Sequence, residues 1–322
     1  MTQNKLKIGI ISTSSPVFGE KNLDTYKFLE SKGIKIVEHP QCRKKYNGHL
    51  AGTIMDRARA IHELFLDKSV DMLMAFWGGA NTNQVLPYLD FDLIKKNHKP
   101  VIGFSDTTAL LLAIHKISGC TTFLGPAGIT FSKPEPLEYT WNYFKQWFVE
   151  KKPEITITDS PEYADDYYFL KKFPDNKTRT IKKTCGRKVF RHGKASGQII
   201  AANLQTLMVL AGTKYFPELK NKVLFIEEAE EENTEMVHRY LTHLSQVVDI
   251  NKLKAVCIGR MCEQSGFKGD DSLEMILEDV FGNTNIPVIY DLDFGHSDPM
   301  FTIPIGGQAE IDTQSGTIKL SL

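Results

Sequence analysis

The feature that most constrains this 322-residue chain is an alternation of short apolar runs, each stopping at turn residues, with segments of helical spacing. Residues 7–12 (KIGIIS) form the first run, and Thr13, Ser14, Ser15 and Pro16 turn the chain after it. Residues 23–32 carry apolar side chains at helical spacing, Gly33 stops them and 34–37 resume a strand, so the opening reads as a β-α-β unit. A helix is expected over 56–67 and a strand over 72–76, followed by Gly78-Gly79-Ala80-Asn81. Residues 87–92 then lead to the strand that opens VIGFSDTT at 101–108. Such alternation implies a mostly parallel sheet, whose ligands sit off the carboxyl ends of its strands. The Gly78-Gly79 turn and Ser105 both fall at such ends.

After Gly125-Pro126 and an aromatic helix over 139–148 the composition changes. Residues 153–188 are rich in Asp, Lys, Tyr and Thr, with Pro161 and Pro174, which suits a linker or surface segment. A second domain starts near Gly186, with strands expected over 223–226, 255–258 and 288–292 and helices over 235–248 and 273–281. Residues 309–322 alternate like a hairpin around Gln314-Ser315-Gly316. The expected fold class is α/β: an N-terminal doubly wound, mostly parallel sheet domain over 1–152, a linker or substrate loop over 153–185, and a smaller C-terminal α/β domain with a β-rich core over 186–322.

Lys plus Arg equals Asp plus Glu at 39 each, so no net field favours a nucleic acid polymer or an anionic membrane, and the expected partner is small. Five cysteines, odd in number and without a C-x-x-C pair, argue against a disulfide framework and for a cytoplasmic location. No stretch approaches the roughly 20 apolar residues of a membrane span.

Ser105 sits where a strand gives way to the apolar helix that begins with Ala109 to Ile114. In α/β hydrolases such a turn presents a nucleophilic serine; equally, Ser, Asp and Thr ahead of a helix are good N-caps. The usual hydrolase elbow has glycine two residues after the serine, where this chain has Thr107. A nucleophilic serine needs a base and a group to orient that base. Of nine histidines, His296 follows a strand in an irregular DFGHSDP loop and suits a general base. Glu227, ending the apolar run in LFIEE, is a candidate third member, although the glutamates running on from it also read as a solvated face. A metal reading of that acidic run is disfavoured, since it lacks EF-hand glycine and spacing and no H-E-x-x-H occurs. No metal and no cofactor are expected. Gly78-Gly79-Ala80-Asn81 either brings backbone N–H groups close to a substrate oxygen or makes only a tight turn. Asn203 is a helix N-cap or a substrate ligand.

In order and spacing, these pieces resemble the serine LD-carboxypeptidases, including the microcin C immunity type. The resemblance runs nearly end to end through Ser14-Ser15-Pro16, GGANTNQ at 78–84 with LPYL at 86–89, GFSDTT at 103–108, GKASG at 193–197, Asn203-Leu204, FIEE at 225–228 and FGH at 294–296. It implies a Ser-His-Glu triad of Ser105, His296 and Glu227, and an oxyanion hole from the backbone N–H of Asp106 and of the Gly79 region. Thr107 then becomes a family mark, because the family's elbow is G-[FY]-S-D. The implied fold carries the serine on an N-terminal α/β domain and Glu227 and His296 on a C-terminal one, with the site between them, commonly in a homodimer.

The chain departs from the pattern at Ala201-Ala202, where many relatives have two glycines before the asparagine. Residues 160–169 (SPEYADDYYF) resemble the microcin-type loop that packs an aromatic on a nucleobase, with Tyr163 where tryptophan is often seen. The implied substrate is a small peptide such as a murein tetrapeptide, or a peptidyl or aminoacyl nucleotide such as processed microcin C, with Asn81, Asn203 and Tyr163 as substrate contacts. The alternative from another class is a two-domain protein that binds a small ligand without chemistry.

Overall fold

The computed structural model describes residues 5–17, 21–166, 179–229, 232–267, 269 and 271–322. In chain order, the first half contains β1 (Lys7–Ile11), α1 (Lys21–Ser31), β2 (Lys35–Glu38), α2 (Ile54–Leu66), β3 (Met72–Ala75), α3 (Phe91–Lys96), β4 (Val101–Gly103), α4 (Thr108–Ser118), β5 (Thr122–Leu124) and α5 (Glu138–Phe148). There follow β6 (Glu154–Thr156), β7 (Glu162–Tyr163), β8 (Lys182–Lys183), β9 (Lys188–Arg191), β10 (Lys194–Asn203), α6 (Leu204–Val209), β11 (Lys222–Glu227) and α7 (Thr234–Val247). The chain closes with β12 (Ala255–Gly259), α8 (Leu273–Phe281), β13 (Val288–Leu292), β14 (Ile303–Ile305), β15 (Gln308–Asp312) and β16 (Thr317–Ser321).

The expected α/β architecture forms, with two large sheets and a two-stranded antiparallel ribbon of β7 and β8. The first sheet has the order β14-β5-β4-β3-β1-β2, its five N-terminal strands all parallel. Strand order reverses between β1 and β3, and the crevice beyond the carboxyl ends at such a switch point is where open α/β sheets take ligands. That geometry sets Ser14, after β1, beside Gly79, after β3, and puts Ser105, after β4, against Gly78.

The second sheet runs β6-β16-β15-β10-β11-β12-β13-β9, with a parallel centre of β10 to β13 and antiparallel flanks. Two strands lie outside the segments drawn from composition. β6, from within 153–185, pairs with β16 at the edge of the second sheet, and β14, from within 186–322, pairs antiparallel with β5 at the edge of the first. Neither pairing has a local signature, because a short edge strand takes its place from a distant partner.

From Ala109 through Ile114 α4 is apolar all round and wholly buried, while Lys116 and Ile117 in its last turn reach solvent. It touches β4, β5 and β14 of the first sheet and β10 and α6 of the second half. α2 starts at Ile54 rather than at Asp56, because Thr53 is its N-cap and Asp56 the reciprocal partner in a capping box. Among the described residues no helix is long and apolar enough to cross a membrane.

Candidate active site

Beyond Gly103 the chain turns through Phe104 and Ser105 into the α4 helix. Ser105 has φ of +58°, in the left-handed region that is costly for a residue with a side chain. The residues in cap positions here are Phe104 and Thr107, and neither makes a side-chain cap bond. Capping therefore does not describe Ser105: an N-cap takes an extended backbone, and this serine has the bend of a strand-to-helix elbow.

Gly78 lies against that elbow, so close that a Cβ on it would stand 3.1 Å from Ser105 Cβ. Gly79, with φ of +134°, backs onto Ser14, whose Oγ lies 2.4 Å from where a Gly79 Cβ would sit. Among the described residues the N–H groups of Gly79 and Asp106 donate to no acceptor. Asn81 is at the rim of this turn, with Oδ1 3.2 Å from His49 Nε2.

The second half contributes Glu227 and His296. Glu227 is the last residue of β11 and pairs in register with Asn203 at the end of β10. Its Oε2 lies 2.6 Å from Nδ1 of His296, on the loop after β13, and both side chains are buried. A carboxylate beside Nδ1 fixes the proton on that nitrogen and makes Nε2 the basic one. Gly295 has φ of +104°, and a Cβ there would stand 2.7 Å from Glu227 Oε2, so only glycine lets loop and strand end approach this closely.

Two contacts join this pair to the serine turn. The ring of Phe104, the residue before Ser105, meets the His296 ring edge-on at 4.9 Å. The N–H of Asn203 donates to Thr108 Oγ1 at 3.2 Å, which bonds the end of β10 to the first turn of α4.

Sequence reasoning missed Glu228. Far from forming a solvated face, Glu227 and Glu228 are 1% and 2% exposed. Glu228 accepts from Asn203 Nδ2 at 2.9 Å, from the N–H of Gln205 at 2.8 Å and from the N–H of Ala229 at 2.9 Å. Burial, and then the neighbouring charge of Glu227, push its carboxyl up to about 7. Nothing in a run of glutamates marks which of them turn inward.

Asn203 is the N-cap of α6, with Oδ1 accepting from Thr206 N–H at 3.0 Å while Nδ2 holds Glu228. Ala201 and Ala202 are wholly buried inside β10, opposite Phe225 and Ile226. The Tyr163 ring takes the Arg260 guanidinium at 4.6 Å on its face, and Arg260 pairs with Asp293 at 2.7 Å. Ser160 N–H donates to the same Asp293, and Ala164 bridges to Asp298, so residues 160–166 dock on both flanks of the His296 loop. Positions 167–169 of the expected aromatic loop lie outside the described residues. Among the described residues no cluster of three or more His, Cys, Asp or Glu is placed to hold a metal ion.

Residues 8–125 match the LD-carboxypeptidase N-terminal domain, and residues 196–311 match the C-terminal domain of the same family. The chain belongs to the LD-carboxypeptidase family. It is 32% identical to the microcin C7 self-immunity protein MccF of Escherichia coli, over 98% of this chain and 92% of that one. It is 30% identical to a probable murein peptide carboxypeptidase of Bacillus subtilis (strain 168), over 96% of this chain and 90% of that one. Its fold superposes on an MccF-like protein from Bacillus anthracis str. Ames with a TM-score of 0.91 at 32% identity, covering 99% and 97% of the two chains. MccF has also been solved in complex with aspartyl sulfamoyl adenosine, with a TM-score of 0.88 at 30% identity, covering 98% and 96% of the chains. As a member of this family the chain is a serine carboxypeptidase, and the alternative of a binding protein without chemistry is set aside.

Proposed function

We propose that this LD-carboxypeptidase cleaves an amide bond near the C-terminus of a small peptide or of an aminoacyl or peptidyl nucleotide, with Ser105, His296 and Glu227 as its triad. The observation that carries the reading is the buried Glu227–His296 pair set beside a serine in the left-handed conformation. His296 Nε2 takes the Ser105 proton as Oγ attacks the carbonyl, and Glu227 holds the imidazolium that forms. The oxyanion of the tetrahedral intermediate takes the N–H groups of Gly79 and Asp106. His296 returns the proton to the leaving amine, and water, activated by the same imidazole, hydrolyses the acyl-enzyme.

The two substrate classes follow the two groups of relatives. A murein peptide carboxypeptidase supports the peptide, and MccF, solved with an aminoacyl nucleotide analogue, supports the nucleotide. Tyr163, with one face already on Arg260, is the aromatic surface this reading gives to a base or peptide. Asn81 stands at the rim of the serine site, while Asn203 acts through Glu228.

The test compares wild type with Ser105→Ala on a murein tetrapeptide and on a processed microcin C analogue. Wild type is expected to release product from one of them, and the variant to be slower by about 10⁴-fold or more. Equal turnover by the two proteins sinks the proposal.

A further inference from the structure

The turn from Gly79 to Thr82 is gripped by side chains to which the triad chemistry gives no part. Asp106 Oδ2 accepts from Asn81 N–H at 3.0 Å and Thr82 N–H at 2.9 Å, and lies 2.7 Å from Thr82 Oγ1. Ser14 Oγ accepts from the N–H groups of Ala80 at 3.2 Å and Asn81 at 3.0 Å. From the opposite side Arg57 Nη1 donates to the carbonyls of Asn81 at 3.1 Å and Thr13 at 2.9 Å, while Nη2 donates to Gln84 Oε1 at 2.7 Å.

Arg57 is 0% exposed although it lies on α2, where helical spacing alone gives no reason to bury a cation. A guanidinium taken out of water persists only with acceptors and an opposite charge to compensate it. Three acceptors are present, and the Asp106 charge works against the effect of burial on Arg57. Asp106 is the residue directly after Ser105, so the charge that anchors the turn is attached to the elbow itself. Residue Asn81 is thereby held at its N–H by Asp106 and Ser14 and at its carbonyl by Arg57, so the peptide units on both sides of its Cα are fixed.

We propose that Asp106, Arg57 and Ser14 are positioning residues that fix the Gly79–Thr82 turn against the serine elbow, so that the Gly79 and Asp106 N–H groups converge on one oxyanion. Ser15 N–H holds the Gly78 carbonyl at 3.1 Å, but without the clamp the rest of the turn is free to shift and to carry the Gly79 N–H out of line with the Asp106 amide. The loss then appears in the transition state rather than in substrate binding. The inference rests on Ser105 being the nucleophile.

The experiment uses the full chain as wild type, Ser105→Ala, Asp106→Asn and Ser14→Ala, with whichever of the murein tetrapeptide and the microcin C analogue wild type cleaves. A peptide boronate that forms a tetrahedral serine adduct serves as the second probe. Asp106→Asn is expected to lower kcat by roughly 10- to 100-fold, with KM within about threefold, and to weaken boronate inhibition in parallel. Ser14→Ala is expected to change the same quantities in the same direction, by about tenfold or less. A purely structural role would lower the melting temperature and leave kcat of the folded protein unchanged. If both folded variants keep kcat within about twofold of wild type, or lose KM instead, the inference is overturned. Should Asp106→Asn fail to fold by circular dichroism, Ser14→Ala decides alone, and an unchanged kcat overturns it. Hydrolysis surviving in Ser105→Ala is the separate result that removes the triad itself.

Discussion

Glu227 and His296 face each other across 2.6 Å at the meeting of a strand end and a loop, and both are buried. An amide in place of the carboxylate can offer Nδ1 a donor instead of an acceptor, which favours the wrong imidazole tautomer. Glu227→Gln is therefore expected to lower kcat by about 10²- to 10⁴-fold with little change in KM. Steady-state kinetics on the cleaved substrate checks this, and a kcat near wild type would remove Glu227 from the triad.

Ser105 stores backbone strain that glycine would not. With φ of +58°, Ser105→Gly should gain stability of about 1 kcal/mol while abolishing hydrolysis. Urea denaturation reads the first and product release the second. A variant less stable than wild type would mean that side-chain contacts of Ser105 outweigh the strain.

Gly295→Ala brings two faults together: a positive φ of +104° and a Cβ placed 2.7 Å from Glu227 Oε2. Either the loop or the carboxylate has to move. The expected result is a loss of about 2 kcal/mol or more of stability together with a large drop in kcat. Wild-type melting and turnover in this variant would contradict the close approach.

Glu228 makes stability depend on pH in a defined direction. Its carboxyl is raised from the ordinary 4.5 to about 7, so between those values the folded chain binds a proton that the unfolded chain has released. The group's contribution is full below pH 4.5 and is lost as pH rises through about 7, with a slope of at most about 1.4 kcal/mol per pH unit. Glu228→Gln removes that titration, so its melting temperature should fall less than that of wild type between about pH 5 and pH 8. Calorimetry across that range tests the difference, and parallel curves would show that Glu228 is already charged at low pH.

The alternation around β1 to β4 was legible because each short strand stops at its own turn residues, which put Gly79 and Ser105 at strand ends. His296 stood out because glycine and proline make its loop irregular. Arg57 and Glu228 were not legible: each lies in a charged local context, and their burial is imposed by residues far away in the chain. The carboxylate of Asp106 was hidden for a different reason, since the motif drew attention to its backbone N–H. β6 and β14 were missed because strands of three residues carry no periodicity of their own.

β14 comes from beyond His296 yet completes the sheet that holds Ser105. During synthesis, then, the half with the serine leaves the ribosome with its β5 edge bare and without His296, the base of the proposed triad. The strand that covers the edge follows directly behind His296, so one short stretch of chain both completes the first sheet and delivers the base of the proposed triad. If the triad is as proposed, a half-made chain has nothing with which to cut.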